Sequence, residues 1–225
     1  MVENAAQRTL DWYRVRLGNI TGSMVGVLMK SGRNDVFSET AKSYIYQLAA
    51  ERAMNPRIVE DDKNFADYIN QVDVTTKAMR FGTEHESDAR NLYGRITKMH
   101  VVEVGSCKHP VIPHFASSPD GFYYNEDKSE MVCLEIKCPN QATYMRYLDE
   151  IKDNDTLLKI KPEYFYQCMA HMMCCGADVT DFVAYCPFQQ HPIHIVRIYS
   201  DELIFSEMEK RIRLADDIIN QIADI

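Results

Sequence analysis

The chain has 225 residues, 46% of them apolar and 26% charged, with a formal net charge of −8 at pH 7. That length suits a single domain over residues 1–225 with a well-buried core, and the composition is ordinary for a globular protein. The acidic excess excludes a wholesale basic nucleic-acid binder, but not an enzyme that confines its positive charge to a groove.

Residues 1–8, Met-Val-Glu-Asn-Ala-Ala-Gln-Arg, carry no apolar leader, and no later apolar run reaches bilayer length. A soluble, cytoplasmic chain without membrane contact is therefore expected. Trp12, the only tryptophan, stands four residues before Arg16, and the turn-prone Thr21-Gly22-Ser23 follows. Ser23 reads as the cap of a short helix through Met24, Val25, Val27 and Leu28. Hydroxyls and free amides at such a start, beside Arg14 and Arg16, make a candidate phosphate cradle.

Ser38 caps an expected helix over 38–53, with Ala41, Ile45, Leu48 and Ala49 on one face. Residues 54–73 read as loop and weak helix around the acidic Glu60-Asp61-Asp62. A helix from about 75 to 95 carries Gly82 one turn before Glu86. Glu86 shares a face with Ala89 and Tyr93, so its carboxylate needs a metal or a cation partner there. Short strands are expected at 101–104, 111–116, 121–124 and 132–137, then a helix from Asn140 to about 151 and a polar break at 152–155.

Residues 162–175 open with Pro162 and are closed by Gly176, as a helix requires. On it Tyr164, Gln167 and His171 form one stripe, and Phe165, Met169 and Met172 a core stripe. His171 reads as a satisfied helix residue rather than a ligand. Strands at 181–186 and 193–199 precede a last helix capped by Ser200. Seven cysteines, an odd number with no C-x-x-C spacing, point to reduced, mostly buried thiols and against zinc or iron–sulfur ligation.

The chemistry gathers at Ser118-Pro119-Asp120-Gly121 and Leu134-Glu135-Ile136-Lys137-Cys138-Pro139. Asp120 lies in a turn between proline and glycine. Period-two alternation puts Glu135 and Lys137 on one strand face, with Leu134 and Ile136 on the other. If the turn leads back to that strand, two carboxylates and a lysine converge. Two carboxylates suit Mg²⁺, which keeps several waters and accepts phosphate oxygens, and a neighbouring lysine can orient the attacking water. With the charged face open to solvent, alanine at Asp120, Glu135 or Lys137 should abolish hydrolysis and leave the fold intact.

These residues, with Trp12-Tyr-Arg-Val-Arg16-Leu-Gly, Ile20-Thr-Gly-Ser23, Gly82-Thr-Glu-His-Glu86 and Tyr164-Phe-Tyr-Gln167, stand in the order found in lambda-type phage exonucleases. The chain resembles that family, the YqaJ-like viral recombinases of the PD-(D/E)xK nuclease superfamily. The resemblance implies an α/β (α+β) fold of restriction-endonuclease type, a central mixed sheet flanked by helices. It implies a 5′→3′ exonuclease that degrades one strand of double-stranded DNA and leaves 3′ overhangs for strand annealing. Asp120 and Glu135 then match metal ligands for two Mg²⁺ ions, with Mn²⁺ as an alternative. Lys137 handles the water, Glu86 is an accessory acid, and Gln167 stands near the water or metal shell. Arg16, Ser23 and Ser118 match the residues that hold the 5′ phosphate, and Lys77 a basic contact at the same end. Met79 falls where the family carries an apolar wedge.

A ring-shaped homotrimer and a single-strand annealing protein are the implied partners. If the ring forms, Arg14, Arg16, Lys77, Arg80 and Lys137 should face its lumen, with residues 60–62 outside. Two alternatives remain: another PD-(D/E)xK endonuclease or junction resolvase, and a DNA-binding module without chemistry.

Overall fold

The computed structural model describes residues 2–3, 5–72 and 76–224. Its first half contains β1 (Val2–Glu3), α1 (Leu10–Arg16), β2 (Ile20–Thr21), α2 (Gly22–Leu28), α3 (Glu39–Arg52), α4 (Pro56–Glu60), α5 (Asp62–Val72) and α6 (Lys77–Thr97). Next come β3 (Ser106–Lys108), β4 (Phe115–Ser117), β5 (Gly121–Asn125) and β6 (Glu130–Lys137). The last third is α7 (Gln141–Glu150), α8 (Asn154–Ile160), α9 (Pro162–Cys175), β7 (Val179–Tyr185), β8 (Ile193–Tyr199) and α10 (Glu202–Ala223).

The fold is mixed α/β, as expected, but it has two four-stranded sheets rather than one central sheet, ordered β1-β3-β4-β2 and β5-β6-β7-β8. In the second sheet β6 and β7 are parallel, and β5 and β8 flank them antiparallel. The parallel pair requires a crossover, which α7, α8 and α9 supply. Every residue of β7 is buried, as befits a strand covered on both faces.

One face of that sheet meets α9 in the main core, and the other packs against α6 through Val132, Leu134, Ile136, Ala89 and Tyr93. The alternation in β6 is as the sequence indicates, but neither face is open. Glu135 is fully buried and Ile136 only 5% exposed. The expected solvent-facing strand is thus corrected: the β6–β7 crossover lays α9 over the face that carries Glu135, and of that charged pair only Lys137, 26% exposed, retains access to solvent.

Ser38 caps α3 through the Ala41 amide. The helix expected from residue 75 starts after the Thr76 cap; residue 75 itself lies outside the described residues. Four local readings change. Thr21, not Ser23, precedes α2, with no side-chain capping bond. Residues 101–104 form only the bridge Val102–Phe122, and the strand lies at β3. The break at 152–155 is a capping box, Asp153 with Thr156, that opens α8. Asp201 rather than Ser200 caps α10, accepting from the Leu203 and Ile204 amides. The last two outcomes follow from which side chain reaches free amides, a matter of backbone direction. The seven cysteines are free thiols, and among the described residues no helix is long and apolar enough to cross a membrane.

Candidate active site

The turn between the two sheets supplies three polar groups in a row to different parts of one site. Ser117 ends β4, and its Oγ lies 2.7 Å from His171 Nδ1. The Ser118 hydroxyl lies 3.2 Å from Arg16, which donates to it. The Asp120 amide donates to the Leu134 carbonyl at 2.9 Å, and Gly121 pairs with Leu134, so the turn does lead back to β6. Asp120 Oδ2 accepts the Ile136 amide at 2.7 Å.

Asp120, Glu135, Lys137, Glu86 and Gln167 all line one cavity of about 450 Å³, together with Arg8, Met79 and Tyr164. Lys137 forms an ion pair with Glu135 Oε1 and lies 3.4 Å from Gln167 Oε1. Its ring neighbour is Tyr164, with Nζ 4.8 Å from the centroid. Burial works against the Lys137 charge, but Glu135 and Asp120 outweigh it and hold the ammonium above its usual pKa. Burial pushes Glu135 up, while Lys137 and His171 pull it below its ordinary value. Asp120 is driven well above the carboxylate range by burial, then by the charges of Glu135 and Glu86.

His171, read from the sequence as a satisfied helix residue rather than a ligand, is indeed satisfied, and by two side chains of this site. It is fully buried, and its Nε2 lies 2.6 Å from Glu135 Oε2. Ser117, His171 and Glu135 therefore form a closed chain that fixes one carboxylate oxygen. The signal was available: His171 sits one turn after Gln167 on the same stripe. Glu86 has its cations, Arg8 at 2.6 Å and Arg90 at 2.7 Å. Arg90 also donates to the Asp120 carbonyl at 2.6 Å, tying α6 to the turn.

Arg16 and Ser23 line a second cavity of about 250 Å³. Among the described residues no carboxylate pairs with Arg16; its neighbours are Ser118 and the Trp12 ring, 4.1 Å from the guanidinium carbon. Burial lowers its pKa. A groove through Trp12, Arg80 and Met79 joins this cavity to the carboxylates, sharing Arg16 with one and Arg8 with the other. Lys77 is not brought to Arg16 but lines another groove with Phe81 and Lys161. Arg14 leaves the expected basic set, being bound by Asp62 at 2.5 Å and Asp11 at 3.0 Å.

The donor set fits a hard divalent cation. Glu135 Oε1 is buried and faces the cavity beside Lys137, and Asp120 on the same cavity is crowded by two other carboxylates. Among the described residues no three His, Cys, Asp or Glu side chains form a ready-made metal cage. Two carboxylates completed by water and substrate oxygens are what Mg²⁺-type sites require.

No curated protein matches the chain. Among solved structures, the alkaline exonuclease LHK-Exo of Laribacter hongkongensis is 28% identical, with 95% of this chain and 94% of that one covered at a TM-score of 0.74. LHK-Exo in complex with dAMP aligns over the same shares at a TM-score of 0.75 and 28% identity. A phage-related exonuclease from Haemophilus somnus 129PT shares the fold, with 13% identity, 92% and 95% coverage and a TM-score of 0.65. The YqaJ-like viral recombinase domain matches residues 11–178, from α1 to the start of β7. With three quarters of its length inside that match and a PD-(D/E)xK-type exonuclease fold throughout, the chain belongs to the YqaJ-like viral recombinase family.

Proposed function

We propose that this chain is a divalent-metal-dependent 5′→3′ exonuclease that digests one strand of duplex DNA and leaves a 3′ overhang for an annealing protein. The observation that carries it is the joining of two sites by one groove. Buried carboxylates meet Lys137 at one end, and an arginine without a carboxylate partner stands at the other. A 28%-identical exonuclease that takes dAMP, a mononucleotide, supports digestion from an end.

Asp120 and Glu135 hold the metal, Mg²⁺ or Mn²⁺ in one or two ions, with Glu86 as accessory acid. A metal held there would supply polarisation of the phosphodiester and a lowered pKa for water beside it. Lys137, held as an ammonium by its acidic neighbours, orients the attacking water and faces the negative charge that builds at phosphorus. Gln167, 3.4 Å from Lys137, keeps that ammonium aimed. Arg16 and Ser118 grip the terminal 5′ phosphate, with Ser23 in the same cavity. Lys77 meets the DNA further along. Met79, 54% exposed and lining both the carboxylate cavity and the groove beside it, would serve as the apolar wedge between the strands. A homotrimeric ring would keep the DNA threaded; light scattering should then give three times the chain's 26.0 kDa.

Linear duplex labelled at either end, incubated with Mg²⁺, should lose its 5′ label first, while a closed circle stays intact. A 5′ phosphate should be digested faster than a 5′ hydroxyl, because guanidinium binds phosphate with charge-assisted bonds. Arg16→Ala should abolish that preference at a cost of about 1.5–3 kcal/mol. Equal rates on both ends in the parent protein would count against an end-anchoring site.

Arg8 competes with a metal for Glu86. Arg8→Ala should tighten Mn²⁺ binding in the absence of DNA by up to about 5-fold, the worth of a partly exposed pair. Calorimetry measures this directly, and weaker binding would show that Arg8 supports the acidic cluster instead.

A further inference from the structure

Beside the catalytic cavity lies a groove of about 610 Å³ between the start of α6, the β6–α7 connection, the start of α9 and the β7–β8 hairpin. It shares Ala78, Cys138, Pro139 and Tyr164 with the catalytic cavity, so the two are continuous. Phe188, on the hairpin, is 66% exposed. Its ring lies 6.0 Å from that of Phe81 at 30°, leaving one face outward. What sets Phe188 apart from other exposed apolar residues is its pairing with Phe81 at the mouth of this groove.

The rest of the lining identifies the chemistry. Lys77 and Lys161 are its charged groups, and no carboxylate lines it. Lys161 lies 5.4 Å over the Tyr164 ring and 3.1 Å from Glu163. Asn140 and Gln141 add amides at the start of α7. Rings to stack on, ammonium groups for phosphates and amides for base edges are the recognition set for an unpaired strand. A peptide would use the rings but would gain nothing from a groove without acids beside an acidic site.

We propose that this groove binds single-stranded DNA, with Phe188 and Phe81 as a base-stacking platform for nucleotides next to the scissile position. The proposal rests on the nuclease reading for its continuity with the carboxylates, and on its own lining for its ligand. Fluorescence anisotropy with a labelled single-stranded oligonucleotide, in EDTA to prevent hydrolysis, tests it. Phe188→Ala should weaken binding roughly 5- to 150-fold, the effect of losing one stacked base.

Abasic DNA, which keeps the phosphates but lacks rings, should bind the parent protein weakly and Phe188→Ala no worse. Phe188→Trp should restore the preference for ordinary DNA, and Phe188→Leu, apolar but without a stacking face, should not. Because Phe188 is exposed on a loop, these variants should unfold at the parent temperature. Equal affinity of parent and Phe188→Ala for ordinary strands would overturn the proposal and leave the groove to a protein partner. So would rescue by leucine. A parent protein that binds in this base-dependent way yet never hydrolyses DNA would sink the nuclease reading and leave the groove standing.

Discussion

Lys137→Ala should lose about 10²–10⁴-fold in hydrolysis rate, the usual cost of removing a group that handles the proton or the developing charge. Its effect on stability should have the opposite sign to that of Asp120→Asn, and the pair of variants makes the test. Lys137 is the ion-pair partner of a fully buried Glu135. Removing it strands one carboxylate and leaves Asp120 among uncompensated charges. Breaking a fully buried pair costs about 3–5 kcal/mol; with the Lys137 side chain 26% exposed, we expect a loss of about 1–3 kcal/mol after screening.

Asp120→Asn removes instead the group whose charge burial, Glu135 and Glu86 all disfavour. Its folded-state pKa is raised, so the ionised form is a net cost above the ordinary carboxylate range, and the neutral amide escapes that cost. The metal-free variant should therefore melt higher than the parent, by about 2–4 °C per kcal/mol relieved. It should be inactive and gain little from Mg²⁺. Thermal unfolding with and without Mg²⁺, beside a turnover assay, checks these outcomes for both variants. A parent protein that Mg²⁺ does not stabilise would remove the metal from this site.

Gly22→Ala should damage the site from a distance. A Cβ at Gly22 would run into the Ser117 hydroxyl and come within 3.3 Å of Ala170 Cβ. Ser117 holds His171, and His171 holds Glu135, at 2.7 and 2.6 Å. Displacing the serine passes through two hydrogen bonds to the Glu135 carboxylate, and misplacement of about 1 Å costs on the order of 10²-fold in rate. Overpacking adds a stability loss of about 1–3 kcal/mol.

Gly26→Ala is the control. There a Cβ would meet the Glu163 backbone at 3.1 Å, so α2 and α9 are pushed apart at a point away from Ser117. It should lose comparable stability but keep near-parental turnover below its melting temperature. If Gly22→Ala turned over DNA at the parental rate, the serine–histidine chain would have no role in setting Glu135.

Much of this site was readable from local rules. Alternation along 132–137 put Glu135 and Lys137 on one side because a strand has a period of two whatever surrounds it. Proline before Asp120 and glycine after it marked the turn, but its return to β6 was only a condition until the pairing of Gly121 with Leu134 supplied it. Pro162 and Gly176 bounded α9 correctly, since the missing amide and the left-handed φ of 65° are properties of those residues alone. Gly22 was visible too, but it read as a turn residue rather than as a contact with β4 and α9.

What the sequence by itself determined, then, is the order of elements, the faces of each strand and helix, and the residue types available for chemistry. Only the tertiary structure decided what those faces meet. Hydrogen bonds along one element depend on neighbours a few positions away. Beside their near neighbours Lys137, Arg90 and Trp12, the residues Glu135, Glu86 and Arg16 have partners 36, 78 and 102 positions distant, His171, Arg8 and Ser118. So no local period announces that Arg14 is spent on Asp62 or that Phe188 stands over Phe81, and the stripe that aligns His171 with Gln167 does not say which groups the imidazole will hold. Those pairings arise because the β6–β7 crossover places α9 on one face of the sheet and α6 on the other. That stacking is set by burial of the whole chain at once.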